Sequence, residues 1–242
     1  RLLIAVDGVR MNTAIFRSGN LQNVISLDPF ATEQTELLFG PGSVLYGSDA
    51  IGGVMAFYTL TPTLADSQDR QSSGSAALRH ASANEELTGH FDINIGEKKW
   101  AIVSSFSHNR YGDLRMGQHG PDDYLRPFYV ERIDGVDRAV SNPDPLLQTP
   151  TGYKQTNLMQ KVRFHPNTDW DFTYAFHYSA TTEYARYDRL VRTRNGVPRS
   201  AEWSYGPQVW QMNQLQASHT GQNTLYDEAR LSLAHQFFEE SR

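Results

Sequence analysis

The clearest regularity along the chain is a period of two. Between Trp170 and about Ala180, Trp170, Phe172, Tyr174, Phe176 and Tyr178 alternate with Asp171, Thr173, Ala175, His177 and Ser179. Successive side chains of a strand point to opposite faces, so this segment predicts a strand with one aromatic face and one small or polar face. The stretch from Leu87 repeats the arrangement, with Leu87, Phe91, Ile93 and Ile95 set against His90, Asp92 and Asn94. So does the last segment, where Leu231, Leu233 and Phe237 oppose Glu228, Arg230, Ser232 and Gln236. About seven such segments, each of roughly ten residues, follow one another, which is the length a tilted strand needs to cross a bilayer. Before Pro62 the pattern differs: short strands, glycine clusters and a helical stretch predict a small α+β unit.

These patterns divide the chain into residues 1–62, a polar Ser/Asp/Gln-rich linker over 63–75, and an alternating region over 76–242. The connections in the third part sort by length. Glu97-Lys98-Lys99, Pro166-Asn167-Thr168-Asp169 and Gly221-Gln222-Asn223 are tight turns. On the other side lie a link of about forty residues near Tyr111 to Gly152 and one of about two dozen near Glu183 to Pro207; only Ser82 to Glu86 is short there. Outer-membrane barrels carry short turns on one side and long loops on the other. A soluble β-sandwich shows the same alternation but has no reason to sort its loops. Inside the long loops, Asp134-Gly135 and Asn195-Gly196 are flanked by β-prone residues and predict two-residue hairpins.

Composition narrows the reading further. No apolar run reaches the roughly 20 residues of a spanning helix, yet 12 Tyr, 12 Phe and 4 Trp sit in a chain of low mean hydropathy. A barrel that shows lipid one face and water the other has that profile. The net charge of −5 offers no basic stripe, so a nucleic-acid partner is not expected. With no cysteine, disulfides and thiolate metal sites are excluded. Asp122-Asp123 falls short of a calcium-coordinating set, and no metal or cofactor is expected.

One segment is far more specific. Glu33 to Thr59 reads EQTELLFGPGSVLYGSDAIGGVMAFYT. Gly40-Pro41-Gly42 ends a strand, Ser43 is placed to cap a short helical turn through Tyr46, and Gly47, Gly52 and Gly53 allow tight reversal before a strand to Thr59. The segment lacks the lysine and spacing of a phosphate loop. It resembles the plug domain of TonB-dependent outer-membrane receptors, matching at Glu36, Gly40, Pro41, Ser43, Leu45, Tyr46, Gly47, Ala50, Gly52, Gly53, Val54 and Thr59, with Asp7-Gly8 and Leu27-Asp28-Pro29 as the lead-in. Many members carry a basic residue before Gly-Pro that pairs with carboxylates of the barrel wall. Phe39 stands there in this chain, which predicts a plug held by packing more than by ion pairing.

The resemblance implies an all-β transmembrane barrel, antiparallel and of about 22 strands, of which about seven are present, enclosing a small α+β plug, of which residues 1–62 are the C-terminal part. It implies an outer-membrane location in contact with lipid, and no enzyme activity, since uptake makes and breaks no bond. It implies energising by the TonB–ExbB–ExbD complex through a box upstream of Arg1. The expected ligand is an iron chelate (ferric siderophore) or haem, with cobalamin or an oligosaccharide as the alternative. By analogy with the plug apex, Arg10, Phe16 and Arg17 are candidates to face it, and His119, Tyr124, Arg126 and Tyr129 are candidates in the long loop. With the short turns on the periplasmic side, Trp100 and Trp170 are candidates for an interfacial girdle.

Overall fold

A computed structural model of the chain describes residues 2–11, 21–40, 43–67, 69–221 and 225–241. Asp7 and Gly8 both take positive φ, 48° and 81°. That is the two-residue hairpin geometry, and it joins β1 (Leu3–Val6) to β2 (Val9–Arg10). All four residues of β1 are buried, as a strand covered on both faces requires. β3 (Thr32–Phe39), the single helical turn α1 (Ser43–Tyr46) and β4 (Gly53–Thr59) complete an N-terminal unit with strand order β2-β1-β4-β3. β1 runs parallel to β4, and β3 antiparallel to it. Ser43 opens the turn it was expected to cap from outside, a shift of one residue at a helix end.

The rest of the chain is an antiparallel meander. After β5 (Gln71–Ala81), β6 (Glu86–Gly96) and β7 (Trp100–Tyr111), a long loop carries β8 (Leu114–Arg115), the hairpin β9 (Phe128–Ile133) and β10 (Val136–Ser141), and β11 (Leu147–Gln148). β12 (Tyr153–Phe164) and β13 (Trp170–Thr181) follow. A second loop then folds as β14 (Tyr184–Ala185), α2 (Tyr187–Leu190), the hairpin β15 (Thr193–Arg194) and β16 (Val197–Pro198), and β17 (Ser204–Tyr205). β18 (Gln208–Thr220) and β19 (Glu228–Glu240) end it. The long strands form one seven-stranded sheet in the order β19-β18-β13-β12-β7-β6-β5. Both expected loop hairpins form, with Asp134 and Asn195 at positive φ. The wall begins earlier than expected: Gln71 to Ser75 are already paired with Gly96 to Asp92. Small polar residues there supply no apolar alternation, so they read as linker.

The two faces of the sheet are inverted relative to a soluble protein. The small and polar side of β13 is buried, with Ala175, His177, Ser179 and Thr181 almost inaccessible, while Trp170 and Tyr174 on the aromatic side are exposed. Glu86, Thr88, Ser105, Ser107, Asn109, Gln155, Asn157 and Lys161 are buried on the same inner face, and Leu87, Phe91, Ile93, Ile102, Leu158 and Leu215 point outward. A sandwich would bury its aromatic face instead. What covers the polar face is the N-terminal unit, whose Ile4, Val6 and Met11 pack on Trp210 and Met212 of β18. At the short-turn end, Trp100 stacks on Phe164 and Trp170 on Phe172, forming an outward aromatic belt.

Candidate functional site

The seat of the N-terminal unit in the wall centres on Asp7. The tight turn of Asp7-Gly8 leaves its carboxylate pointing at β12 and β13. Thr59 donates its amide N–H to Oδ1 at 2.9 Å and its hydroxyl to Oδ2 at 2.7 Å. Lys161 Nζ lies 3.0 Å from Oδ2 and also donates to the Thr59 carbonyl at 3.2 Å. His177 Nε2 stands 3.4 Å from Oδ2, near enough for charge interaction but without hydrogen-bond alignment. The Asp7 carbonyl accepts from Gln214 Nε2 at 3.0 Å and Gln216 Nε2 at 3.4 Å, both on β18. Burial pushes the Asp7 carboxyl up, but His177, the Lys161 ammonium and the Thr59 amide outweigh it and hold the group well below the usual carboxylate range.

A second anchor is Asp28. Its Oδ1 caps the Phe30 amide at 3.0 Å, and its Oδ2 accepts from Ser107 Oγ of β7 at 2.6 Å. Ser107 Oγ is 2.8 Å from His90 Nδ1, and His90 Nε2 is 3.1 Å from Asp92 Oδ2, which also accepts from Ser75. Serine, histidine and aspartate in line are the parts of a nucleophilic triad. Here the serine is fully buried and its proton is directed at Asp28, so the row ties wall to plug. The remaining wall contacts mostly reach main-chain carbonyls: Gln155 to Ile25, Gln236 to Arg10, Arg163 to Pro62 and Asn94 to Thr63. Gly96 sits where a Cβ would come within 2.3 Å of the Thr63 carbonyl, so the connecting segment crosses the wall there at closest approach.

Phe39 is 90% exposed and plays no part in this seat. Beside the packing of Ile4, Val6 and Met11 on Trp210 and Met212, an ion pair crosses the seat, with the carboxylate of Asp7 on the N-terminal unit and the ammonium of Lys161 on the wall. Sequence reasoning missed Lys161 and His177, which passed as ordinary wall positions; the available signal was a lysine on the small, polar face of β12. His90 was missed in the same way.

The other candidates scatter. Glu36 accepts from Tyr58 and Gln34 on the exposed surface of β3. Gly40, Gly47 and Gly53 all need positive φ, and Gly52 lies in the exposed turn before β4. Arg10 Nη1 reaches the Tyr46 carbonyl at 3.5 Å and lies over Gly47. Pro41, Phe16 and Arg17 fall outside the described residues. His119 is exposed, Tyr124 is 63% exposed, and half-buried Tyr129 donates to Glu131 at 3.0 Å. Arg126 is buried instead. Its guanidinium donates to Thr149 in its own loop and to Leu190 in the other, and lies over the Tyr187 ring. It clamps the two long loops together. Arg126→Ala leaves both carbonyls unpaired and is expected to weaken that contact by about 2–3 kcal/mol, read as faster proteolysis within residues 183–207 with the wall strands still protected.

A seven-stranded wall, apolar outside and polar inside, with a folded unit docked on its polar face, defines a plugged β-barrel. Residues 1–54 match the family model described as TonB-dependent Receptor Plug Domain. The chain belongs to the TonB-dependent receptors. It is 43% identical over 175 residues to the vitamin B12 transporter BtuB of Vibrio vulnificus (strain YJ016), covering 69% of this chain and 27% of that protein. It is 32% identical over 131 residues to the hemin receptor of Yersinia pestis, covering 50% of this chain and 18% of the receptor. The chain thus spans about a quarter or less of these relatives' length. Among solved structures, the copper transporter OprC superposes with a TM-score of 0.68 at 14% identity, over 99% of this chain and 30% of that one. The ferric enterobactin receptor of Pseudomonas aeruginosa gives 0.65 at 13% identity, over 100% and 34%. The likeness to these two structures is one of fold.

Proposed function

We propose that the chain is the plug and leading wall of an outer-membrane receptor that takes up a scarce, large solute, energised through TonB, ExbB and ExbD, without enzymatic chemistry. The observation that carries this is the seat itself: a plug locked by Asp7 and Asp28 into a wall whose outer face is apolar and aromatic. Such a wall suits lipid, with Trp100 and Trp170 at the headgroup level, and such a plug closes the lumen until it is displaced. In this reading residues 1–62 are the C-terminal part of the plug and the full wall has about 22 strands.

The solute we favour is haem or a ferric siderophore. Residues 183–207 carry Arg186, Arg189, Arg192, Arg194 and Arg199 against Glu183, Asp188 and Glu202. A cationic outer loop attracts anionic solutes, and haem propionates and most ferric chelates are anionic. His119, Tyr124 and Tyr129 remain candidates for contact from the neighbouring loop. A second reading, cobalamin, is favoured by the 43% identity to a vitamin B12 transporter. Cells lacking their own haem and cobalamin receptors and expressing the full-length protein separate the two. Growth on haemin as sole iron source, abolished without TonB, supports the first. Growth on cobalamin alone supports the second.

A further inference from the structure

Two voids follow one another along the seam between plug and wall. The larger, about 440 Å³, lies between Asp7, Gly8 and Thr61 of the plug and Lys161, Thr173 and Gln216 of the wall. The smaller, about 20 Å³ and more enclosed, lies between Ser26, Asp28 and Phe57 and the wall residues Asn157, Met159 and His177. Along β12 the lining passes from Asn157 and Met159 to Lys161 and Arg163, and along β13 from His177 to Thr173 and Asp171. Both voids therefore run down one pair of strands towards the short turn that joins them. Thr59 lines both. The partition between them is the cluster of Asp7, Thr59, Lys161 and His177.

At Trp210 and Met212 of β18 the same interface is filled by packed Ile4, Val6 and Met11, while Gln214 and Gln216 further along that strand line the large void. A solute that passes the plug displaces least material where packing is already interrupted. The large void is lined mostly by polar side chains, which suits a hydrophilic solute; the small one, at Phe57, Met159 and Trp210, is more apolar. Gly8 has open space where a Cβ would stand, so the Asp7-Gly8 turn faces room on that side once its carboxylate is released.

We propose that the seam along β12 and β13 is the route by which the solute leaves the receptor, and that the Asp7–Lys161 pair is its gate. The route rests on the uptake reading above; the gate is testable without any solute.

The test uses the full-length receptor carrying a single cysteine, either Ser26→Cys in the small void or Ala50→Cys in the separate apolar cluster around Leu3 and Val54. Both are expected to be protected from a small methanethiosulfonate reagent. Adding Lys161→Met is expected to speed labelling of Ser26→Cys by at least about tenfold while Ala50→Cys stays protected. Unchanged protection of Ser26→Cys overturns the gate. So does simultaneous exposure of both sites, which would make Lys161 a support of the whole plug.

For the route, a reducible bis-methanethiosulfonate joins Gly8→Cys to Thr173→Cys across the large void, and in a control joins Val9→Cys to Phe238→Cys at the apolar cluster beside β18. The seam link is expected to cut haemin or cyanocobalamin uptake by about tenfold or more, reversed by reductant, with binding retained; the control link leaves uptake near its starting rate. Equal uptake with the seam linked overturns the route, as does equal loss with the control. A receptor that takes up neither probe before linking fails the uptake reading instead, and the labelling result still decides the gate.

Discussion

Lys161→Met in the full-length receptor is expected to weaken the hold of the wall on the Asp7-Gly8 turn by about 3–5 kcal/mol, because it leaves the Asp7 carboxylate buried without its counter-charge. Asp7→Asn with Lys161→Met removes both charges together and is expected to recover most of that loss, since replacing a buried pair by neutral groups of similar volume is often close to neutral. Thermal loosening of this turn, followed by protease sensitivity at Asp7-Gly8 in detergent, measures both. Equal destabilisation by the single and double variants would show that the pair contributes packing and not charge.

The same pair sets a pH dependence. Because the folded-state pKa of Asp7 is depressed, its contribution is fully present above the unfolded carboxylate value of about 3.9. It is lost as the pH falls from there towards the folded value. Neutral and mildly acidic buffers should leave the Asp7 share of plug melting unchanged, with decline only below about pH 4. In Asp7→Asn that share of the decline is absent.

Gly53→Ala is expected to be the most damaging single-methyl change in the plug. At φ 133° an L side chain is strained, and the added Cβ would lie 2.6 Å from the Leu38 carbonyl oxygen, which belongs to the paired strand and cannot swing aside. Strain of this kind costs on the order of 1–3 kcal/mol, and the backbone clash adds to it. Gly8→Ala is the comparison: its φ of 81° is also positive, but nothing lies within 4 Å of the new atom, so strain alone applies. The expected order of melting temperatures is native, Gly8→Ala, then Gly53→Ala well below. An inverted order would mean that the turn at Asp7-Gly8 tolerates less than its surroundings indicate.

The wall was legible because an apolar outer face and the plug on the inner one impose a strict period of two, so Trp170 to Tyr178 declared both strand and outward face. Asp-Gly and Asn-Gly announced the loop hairpins for the same local reason: their backbone conformation depends on two residues only. Gln71 to Ser75 stayed hidden because small polar residues carry no alternation. The seat stayed hidden for a different reason. Asp7 meets Lys161 and His177, more than 150 residues away in sequence, only through the docking of the two units, and Lys161 and His177 each look ordinary on their own strands. Arg126 misled in the opposite sense: an arginine in a long polar loop suggests a ligand contact, whereas here the second loop folds over it and buries it.

These results connect one physical fact to the proposed activity. The wall grips the plug mainly through side chains that reach main-chain carbonyls, with two carboxylates as the specific anchors. Such contacts are individually modest, which suits the proposed plug, closed at rest and yielding when load is applied to it.

The central claim, that residues 2–59 form a plug locked inside a membrane barrel, is tested most directly by a cryo-EM structure of the full-length receptor in lipid. The account predicts a closed barrel with the outward faces of β7, β12 and β13 in the bilayer, the plug in the lumen, and Asp7 within bonding distance of Lys161. A plug outside the lumen, or Asp7 and Lys161 held apart in the resting receptor, would contradict it.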